Sequence, residues 1–184
     1  MEFSGVTKAT ANATSATIKR ILIMNISPAA KRARIAATLI AVGGQFHEKV
    51  FADVSNVFGA TMFTTAGVGD LSDRVGRLST TLMRDYALSR EQADTIIATH
   101  YNALLGLAEN EAAINARSLG RQPTLYRELN PARPDCDWCI DMSGEHENPD
   151  GEVFGRHEKC DCIFITKGFN TRNGLLTNFA KRSQ

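Results

Sequence analysis

The feature that most constrains the fold of this chain is a long apolar stripe at helical spacing in its first third. Ser27 and Pro28 suit the start of a helix, and apolar side chains then recur every three or four residues. Further stripes follow, and the segment from 16 to 120 lacks the alternation that is typical of strands. The sequence therefore predicts a mainly α fold. The first stripe consists of Ile35, Leu39, Val42, Phe46, Val50, Val54 and Val57.

Glycine, proline and capping residues predict where the helices begin and end. Three glycines predict a loop over about 59–70, and a helix follows from Leu71 to about Tyr86. Ser89 with Gln92 has the pattern of a capping box at the start of the next helix. Gly120 and Pro123 are expected to end that helix.

The composition along the chain predicts three parts. Residues 1–15 are rich in Thr, Ala, Ser and Asn with little periodicity, which predicts a flexible arm. A helical domain is expected over 16–130. Pro131 and Pro134 then interrupt helix formation, and "NPDG", "EVF" and "CIFI" predict a turn and short strands. The expected fold is a helical region followed by a small α+β, Cys/His-stapled hairpin module over 131–184.

All four cysteines lie in that module, in the pattern C-x2-C followed by H-x2-C-x-C. Cys136 and Cys139 can turn back toward one ion, and Cys160 and Cys162 would point to the same face of a strand. Zinc takes four such ligands. Either all four cysteines bind zinc and His157 lies beside them, or His157 replaces one cysteine; the pattern slightly favours four cysteines.

Disulfides are the alternative use of these thiols. Cys136 or Cys139 could pair with Cys160 or Cys162 and hold the same hairpins together. The first residues lack the pattern of a secretory signal, and no apolar run has the length of a membrane span. We therefore expect a soluble protein made in a reducing cytoplasm, where clustered thiols favour a metal.

The remaining aromatic and imidazole side chains give no pattern of a second site. Trp138 is expected to be a core anchor, since it is the only tryptophan and lies inside the C-x2-C turn. His47 and His146 are expected to be surface residues. His100 lies between apolar positions and is expected in the core or at its boundary.

The order of motifs argues against catalysis. A zinc deaminase carries an H-x-E element before its P-C-x2-C turn, and no such element precedes Cys136. The metalloprotease pattern H-E-x-x-H is absent, as are a glycine-rich phosphate loop and a nucleophile elbow. A closed tetrahedral site also offers no open position on the metal. The sequence predicts no catalytic residue and no small-molecule substrate.

Charge also limits the choice of partners. The formal net charge is +1, and nine acidic residues lie between Asp135 and Asp161, where they would repel phosphate. Nucleic acid, if bound, would contact the basic tail instead. That tail carries Lys167, Arg172, Lys181 and Arg182.

From about Pro134 to Ile165 the chain resembles the Mu F-like minor head proteins of tailed bacteriophages, especially those of phages of actinobacteria. The likeness lies in "CDWC", "GEVF" and "HEKCDC". Cys136, Cys139, His157, Cys160 and Cys162 match the family's Cys and His positions one by one. The chain departs from the family in its short length and in the acidic insertion "GEHENPDGE".

The resemblance implies a structural component of the virion that is made with the portal and capsid proteins. It implies contacts with the portal, the major capsid protein or a scaffold, and a structural zinc. Packaged DNA, if contacted, would meet the basic tail because of its charge. The expected location is the virion, in the capsid interior or at the portal, with assembly in the host cytoplasm. The alternative is a zinc-knuckle nucleic-acid-binding or regulatory protein.

Overall fold

Long helices and a small antiparallel sheet make up the structure, a computed structural model that describes residues 3–60, 71–129, 137–155 and 162–166. The mainly α prediction is confirmed. The helices are α1 (Phe3–Ile23), α2 (Pro28–Val57), α3 (Leu71–Leu88), α4 (Arg90–Ser118) and the short α5 (Asp137–Asp141); the strands are β1 (Thr124–Glu128), β2 (Gly144–Glu147) and β3 (Ile163–Thr166).

Helices α2 and α4 form the centre of the helical bundle, since they pack against each other and each also packs against α1 and α3. Phe46 of α2 meets Tyr101 of α4 edge to face, with 5.3 Å between ring centroids. Small buried side chains on α4, such as Ala108 and Ala112, let neighbouring helices approach closely. None of the helices in the described segments is both long and apolar enough to cross a membrane.

Helix α1 runs antiparallel to α4. The hydroxyl of Thr14 lies 2.7 Å from that of Tyr101, while Lys19, further along α1, lies 3.2 Å from Asp94, nearer the start of α4. The turn between α1 and α2 therefore lies at the end of the bundle where α4 begins.

The prediction of a flexible arm over residues 1–15 is wrong for the described part. Helix α1 begins at Phe3, and Thr7, Ala11, Thr14 and Ser15 are buried at helical spacing. This face consists of small and hydroxyl-bearing residues, and the hydroxyls of Thr14 and Ser15 hydrogen-bond to Tyr101 and Asp94 of α4. Because this face carries few large apolar residues, the apolar pattern of the sequence did not predict a helix here.

The predicted helix ends are confirmed where the structure describes them. The side chain of Ser27 accepts a hydrogen bond from the backbone N–H of Ala30 at 3.2 Å, and Ser89 accepts one from Gln92 at 3.4 Å. Gly120 follows α4 with φ of 72°, a conformation that glycine adopts without steric cost.

The sheet has the order β2-β1-β3, and β1 pairs antiparallel with both neighbours. Tyr126 of β1 lies opposite Glu145 of β2 and Ile165 of β3. The central strand lies before Pro131, so the predicted boundary between a helical domain over 16–130 and a module over 131–184 cuts the sheet.

Only one of the two predicted strands is present. The segment "CIFI" overlaps β3, as predicted. The segment "EVF" lies in successive turns instead, and the backbone N–H of Val153 donates to the carbonyl oxygen of Asp150 at 3.2 Å. The polar segment Gly144–Glu147 forms β2 instead. Pairing with the half-buried strand β1 places it in the sheet without an apolar pattern of its own.

The sheet region shares the hydrophobic core of the helices. Leu125 of β1 and the turn residues Val153 and Phe154 belong to the same buried cluster as the side chains of α1 to α4. Phe154 is 1% exposed. The C-terminal module is therefore packed onto the bundle rather than separated from it by a linker.

Candidate metal centre

The structure brings together one cysteine from each half of the Cys/His pattern. Cys139 lies on α5 and Cys162 directly precedes β3; their exposed fractions are 3% and 6%. With Leu129, they form a small buried cluster distinct from the main core. No disulfide joins Cys139 to Cys162. Two buried thiols in contact fit two ligands of one thiophilic ion.

The other candidate residues lie outside the described segments. These are the predicted ligands Cys136, His157 and Cys160, and the basic tail with Lys167, Arg172, Lys181 and Arg182. Within the segments that are described, no group of three or more His, Cys, Asp or Glu side chains could hold a metal. The complete ligand set therefore stays a prediction.

A buried arginine lies beside the cysteine pair. Arg127 of β1 has no exposed surface, and its Nη1 donates a hydrogen bond to the carbonyl oxygen of Val153 at 2.8 Å. Its Nη2 lies 3.7 Å from Sγ of Cys139. A guanidinium in this position suits a sulfur that carries negative charge, as a metal-bound cysteine does.

Sequence reasoning missed Arg127 because arginine is mostly exposed in proteins and "LYREL" carries no motif. Its role depends on β1 lying at the centre of the sheet. That position results from pairing with β2 and β3, which lie further along the chain.

Trp138 covers this arginine and is not the core anchor that was predicted. Its exposed fraction is 36%, and its ring lies 4.5 Å from the guanidinium carbon of Arg127. A Cβ atom at Gly155 would lie 2.7 Å from the edge of the indole. The ring thus stacks on a cation and shields it from water.

Two contacts hold the module against α4. The backbone oxygen of Phe154 approaches Gly106 so closely that a Cβ atom there would overlap it. Arg117 donates from Nη1 to the carbonyl oxygens of Asn148 and Pro149, each at 3.1 Å. The turn residues 148–154 of the module are therefore held against α4.

His47 lies in the bundle, which corrects the prediction of a surface histidine. It is 1% exposed, and its Nε2 lies 3.2 Å from Oε2 of Glu111. Burial lowers the pKa of His47, opposed by Glu48, and burial raises the pKa of Glu111. Both shifts favour the uncharged forms, so the short distance does not make this contact an ordinary ion pair.

The other described histidines have ordinary structural positions. His100 is buried beside Tyr101, as predicted, with ring centroids 5.4 Å apart. His146 is half-buried rather than fully at the surface, with Nε2 3.1 Å from the carbonyl oxygen of Met142.

A polar cluster joins α1, α3 and α4 and was also missed from the sequence. Ser15 donates a hydrogen bond to Asp94, Tyr86 donates to the same carboxylate at 3.1 Å, and Lys19 lies 3.2 Å from it. Burial raises the pKa of Tyr86 to about 12. Burial alone raises the pKa of Asp94, but hydrogen bonds from Ser15, Lys19 and Tyr86 outweigh it, so this pKa lies below its ordinary value.

No family model, curated protein or solved structure matches the chain. The resemblance to Mu F-like minor head proteins therefore rests on the residues between about 134 and 165. Of the five Cys and His positions in that likeness, the structure describes Cys139 and Cys162.

Proposed function

We propose that this chain is a non-enzymatic minor capsid or head morphogenesis protein of a tailed bacteriophage. In this function the helical bundle contacts the portal, the major capsid protein or a scaffold. The Cys-containing site stabilises the sheet region, which packs on the bundle. The observation that carries the proposal is the burial of Cys139 and Cys162 in one cluster, in a module whose Phe154 packs against α4. That arrangement suits a structural staple better than an open catalytic site.

Zinc is the proposed metal, held by four of the residues Cys136, Cys139, His157, Cys160 and Cys162. The ion would supply a tetrahedral cross-link between α5 and the segment before β3. Arg127 would donate to the sulfur of Cys139 and tie it to the Val153 backbone. Trp138 would keep water from the guanidinium.

Elemental analysis tests the metal. Protein purified without chelator should contain about one zinc per chain, and Cys139→Ser should lose most of it. Ser143→Ala, near the same helix, is the matched control and should keep the metal. Metal-free protein whose nonreducing mass shows two disulfides would refute the zinc proposal.

Association with phage heads tests the function. The protein should copurify with both empty and full heads, because its proposed partners are capsid proteins rather than DNA. Isolated protein should show no strong salt-dependent DNA binding. Strong binding that falls when Lys181 and Arg182 are changed to Gln would favour the nucleic-acid-binding alternative instead.

A further inference from the structure

One end of the helical bundle carries a surface that we name the basic tip, residues 20–34. Residues 3–47 contain six basic and no acidic residues, and four of the basic ones lie in the tip. Lys19, outside the tip, is paired with Asp94, whereas Arg20, Arg32 and Arg34 are exposed. The tip is therefore a concentrated positive surface. Its basic residues are Arg20, Lys31, Arg32 and Arg34.

The basic tip also exposes apolar side chains in an ordered turn. Ile23 is 85% exposed and Met24 is 37% exposed. Lys31 donates to the carbonyl oxygen of Leu22 at 2.6 Å, and Nη1 of Arg34 lies 3.2 Å from the sulfur of Met24. An isoleucine held almost fully in water within a positive surface is a feature of contact sites.

A second surface has the opposite charge, and we name it the acidic face, residues 137–155. This range contains six carboxylates and no lysine or arginine. It also exposes Trp138 at 36% and Ile140 at 45%. All six carboxylates are on exposed residues: Asp137, Asp141, Glu145, Glu147, Asp150 and Glu152.

The two surfaces lie toward opposite ends of α4. Lys19, next to the basic tip, contacts Asp94 near the start of α4, whereas Arg117 near its end holds the acidic face through Asn148. At 1.5 Å per residue, Asp94 is roughly 35 Å along α4 from Arg117 and roughly 18 Å from Gly106, which the Phe154 end of the acidic face touches. Patches at separate places on one molecule favour contact between two different molecules. Such a head-to-tail contact either closes into a ring of copies or extends into a filament.

We propose that the basic tip of one molecule docks on the acidic face of a second copy of this chain. In this contact Ile23 and Met24 of one molecule pack against Trp138 and Ile140 of the other. Around this apolar centre, arginines of the basic tip face carboxylates of the acidic face. A polyanion such as DNA would match the basic tip but would leave Ile23 in water and the acidic face unused. This inference does not depend on the proposed virion function or on zinc.

A mixing experiment with full-length protein tests the contact. Arg32→Glu with Arg34→Glu reverses the tip, and Asp141→Lys with Asp150→Lys reverses the face. In sedimentation velocity at about 50 mM salt, wild-type protein should associate as its concentration rises, and each variant alone should associate at least about tenfold more weakly. An equimolar mixture should regain association, because the intact tip of one variant meets the intact face of the other and the two reversed surfaces are also opposite in charge.

Controls separate this contact from general charge effects. Arg77→Glu, at an exposed position on α3, should associate like wild type. Circular dichroism should show native helix content in every variant; if the double reversal unfolds the chain, Arg20→Gln with Arg32→Gln replaces it. Ile23→Asp should weaken association as the tip reversal does.

Three outcomes would overturn the proposal. Wild-type protein could remain monomeric at every concentration, the folded variants could each associate as well as wild type, or their mixture could fail to regain association. If wild-type protein is monomeric and binds a DNA duplex that the tip variant no longer binds, the basic tip is a nucleic-acid surface instead.

Discussion

Gly106 sets how closely the C-terminal module approaches α4. A methyl group at this position would overlap the carbonyl oxygen of Phe154, which belongs to the backbone and cannot rotate away. We expect Gly106→Ala to lower the free energy of unfolding by about 1–3 kcal/mol, the usual range for overpacking. Urea denaturation at fixed pH measures this change.

Gly76 is the matched control, since it is an exposed helical glycine with open space around its Cα. Gly76→Ala should raise stability by roughly 0.5–1 kcal/mol, because alanine loses less backbone entropy on folding. Equal effects of the two substitutions would contradict the close approach at Gly106.

Arg127 should be intolerant of lysine. The guanidinium donates to Val153, lies beside Cys139 and stacks under Trp138, and an ammonium group cannot match this planar geometry. We expect Arg127→Lys to lower the free energy of unfolding by about 1–3 kcal/mol, because a buried carbonyl loses its donor.

The control for Arg127 is Arg121→Lys, at an exposed position six residues earlier in the chain. Its stability in thermal and urea unfolding should stay within about 0.5 kcal/mol of wild type. If Arg127→Lys changed the free energy of unfolding as little as Arg121→Lys, the buried contacts of the guanidinium would not contribute measurably to stability.

At the scale of helices, Asp94 joins α1, α3 and α4 by accepting hydrogen bonds from Ser15 and Tyr86. Asp94→Asn should lower the free energy of unfolding by about 1 kcal/mol at neutral pH, a modest value because the carboxylate is partly exposed. Asp53→Asn, which removes an exposed pair with Lys49 on α2, should cost at most about 0.5 kcal/mol.

The effect of Asp94 should depend on pH in one direction. Its pKa is lowered in the folded protein, so its stabilisation is present above the pKa of the unfolded chain, about 3.9, and is lost as pH falls through the lower folded value. The difference between wild type and Asp94→Asn should shrink below about pH 4. A difference that grew on acidification would contradict the lowered pKa.

The sequence predicts those elements whose signals are local. Ser27, Ser89 and Gly120 mark helix ends because their side chains or backbone conformations act within one turn. The buried hydroxyl-bearing face of α1 and the polar strand β2 were missed because their stability comes from partners distant in the chain. For the same reason Arg127 was not predicted. The cysteine spacing did mark Cys139 and Cys162 as candidate ligands, and the structure buries both in one cluster.

For the whole molecule, the shared core implies that bundle and module unfold together. Phe154 lies in a turn of the module, yet its side chain belongs to the cluster formed by the helices. A separate module would lose stability without affecting α1 to α4. Because the bundle and the module share one core, a cavity on the module side should lower the stability of both by the same amount.

Phe154→Ala tests this coupling with two independent signals. Trp138 is the only tryptophan and lies in the module, so its fluorescence follows the sheet region, while far-ultraviolet circular dichroism follows the long helices. Phe154→Ala should lower stability by about 3–5 kcal/mol, and both signals should shift to the same lower urea midpoint. Val57→Ala, at a half-buried position on α2, should shift both by a smaller amount. If Phe154→Ala moved the fluorescence transition and left the dichroism transition in place, the module would be an independent unit that merely rests on the bundle.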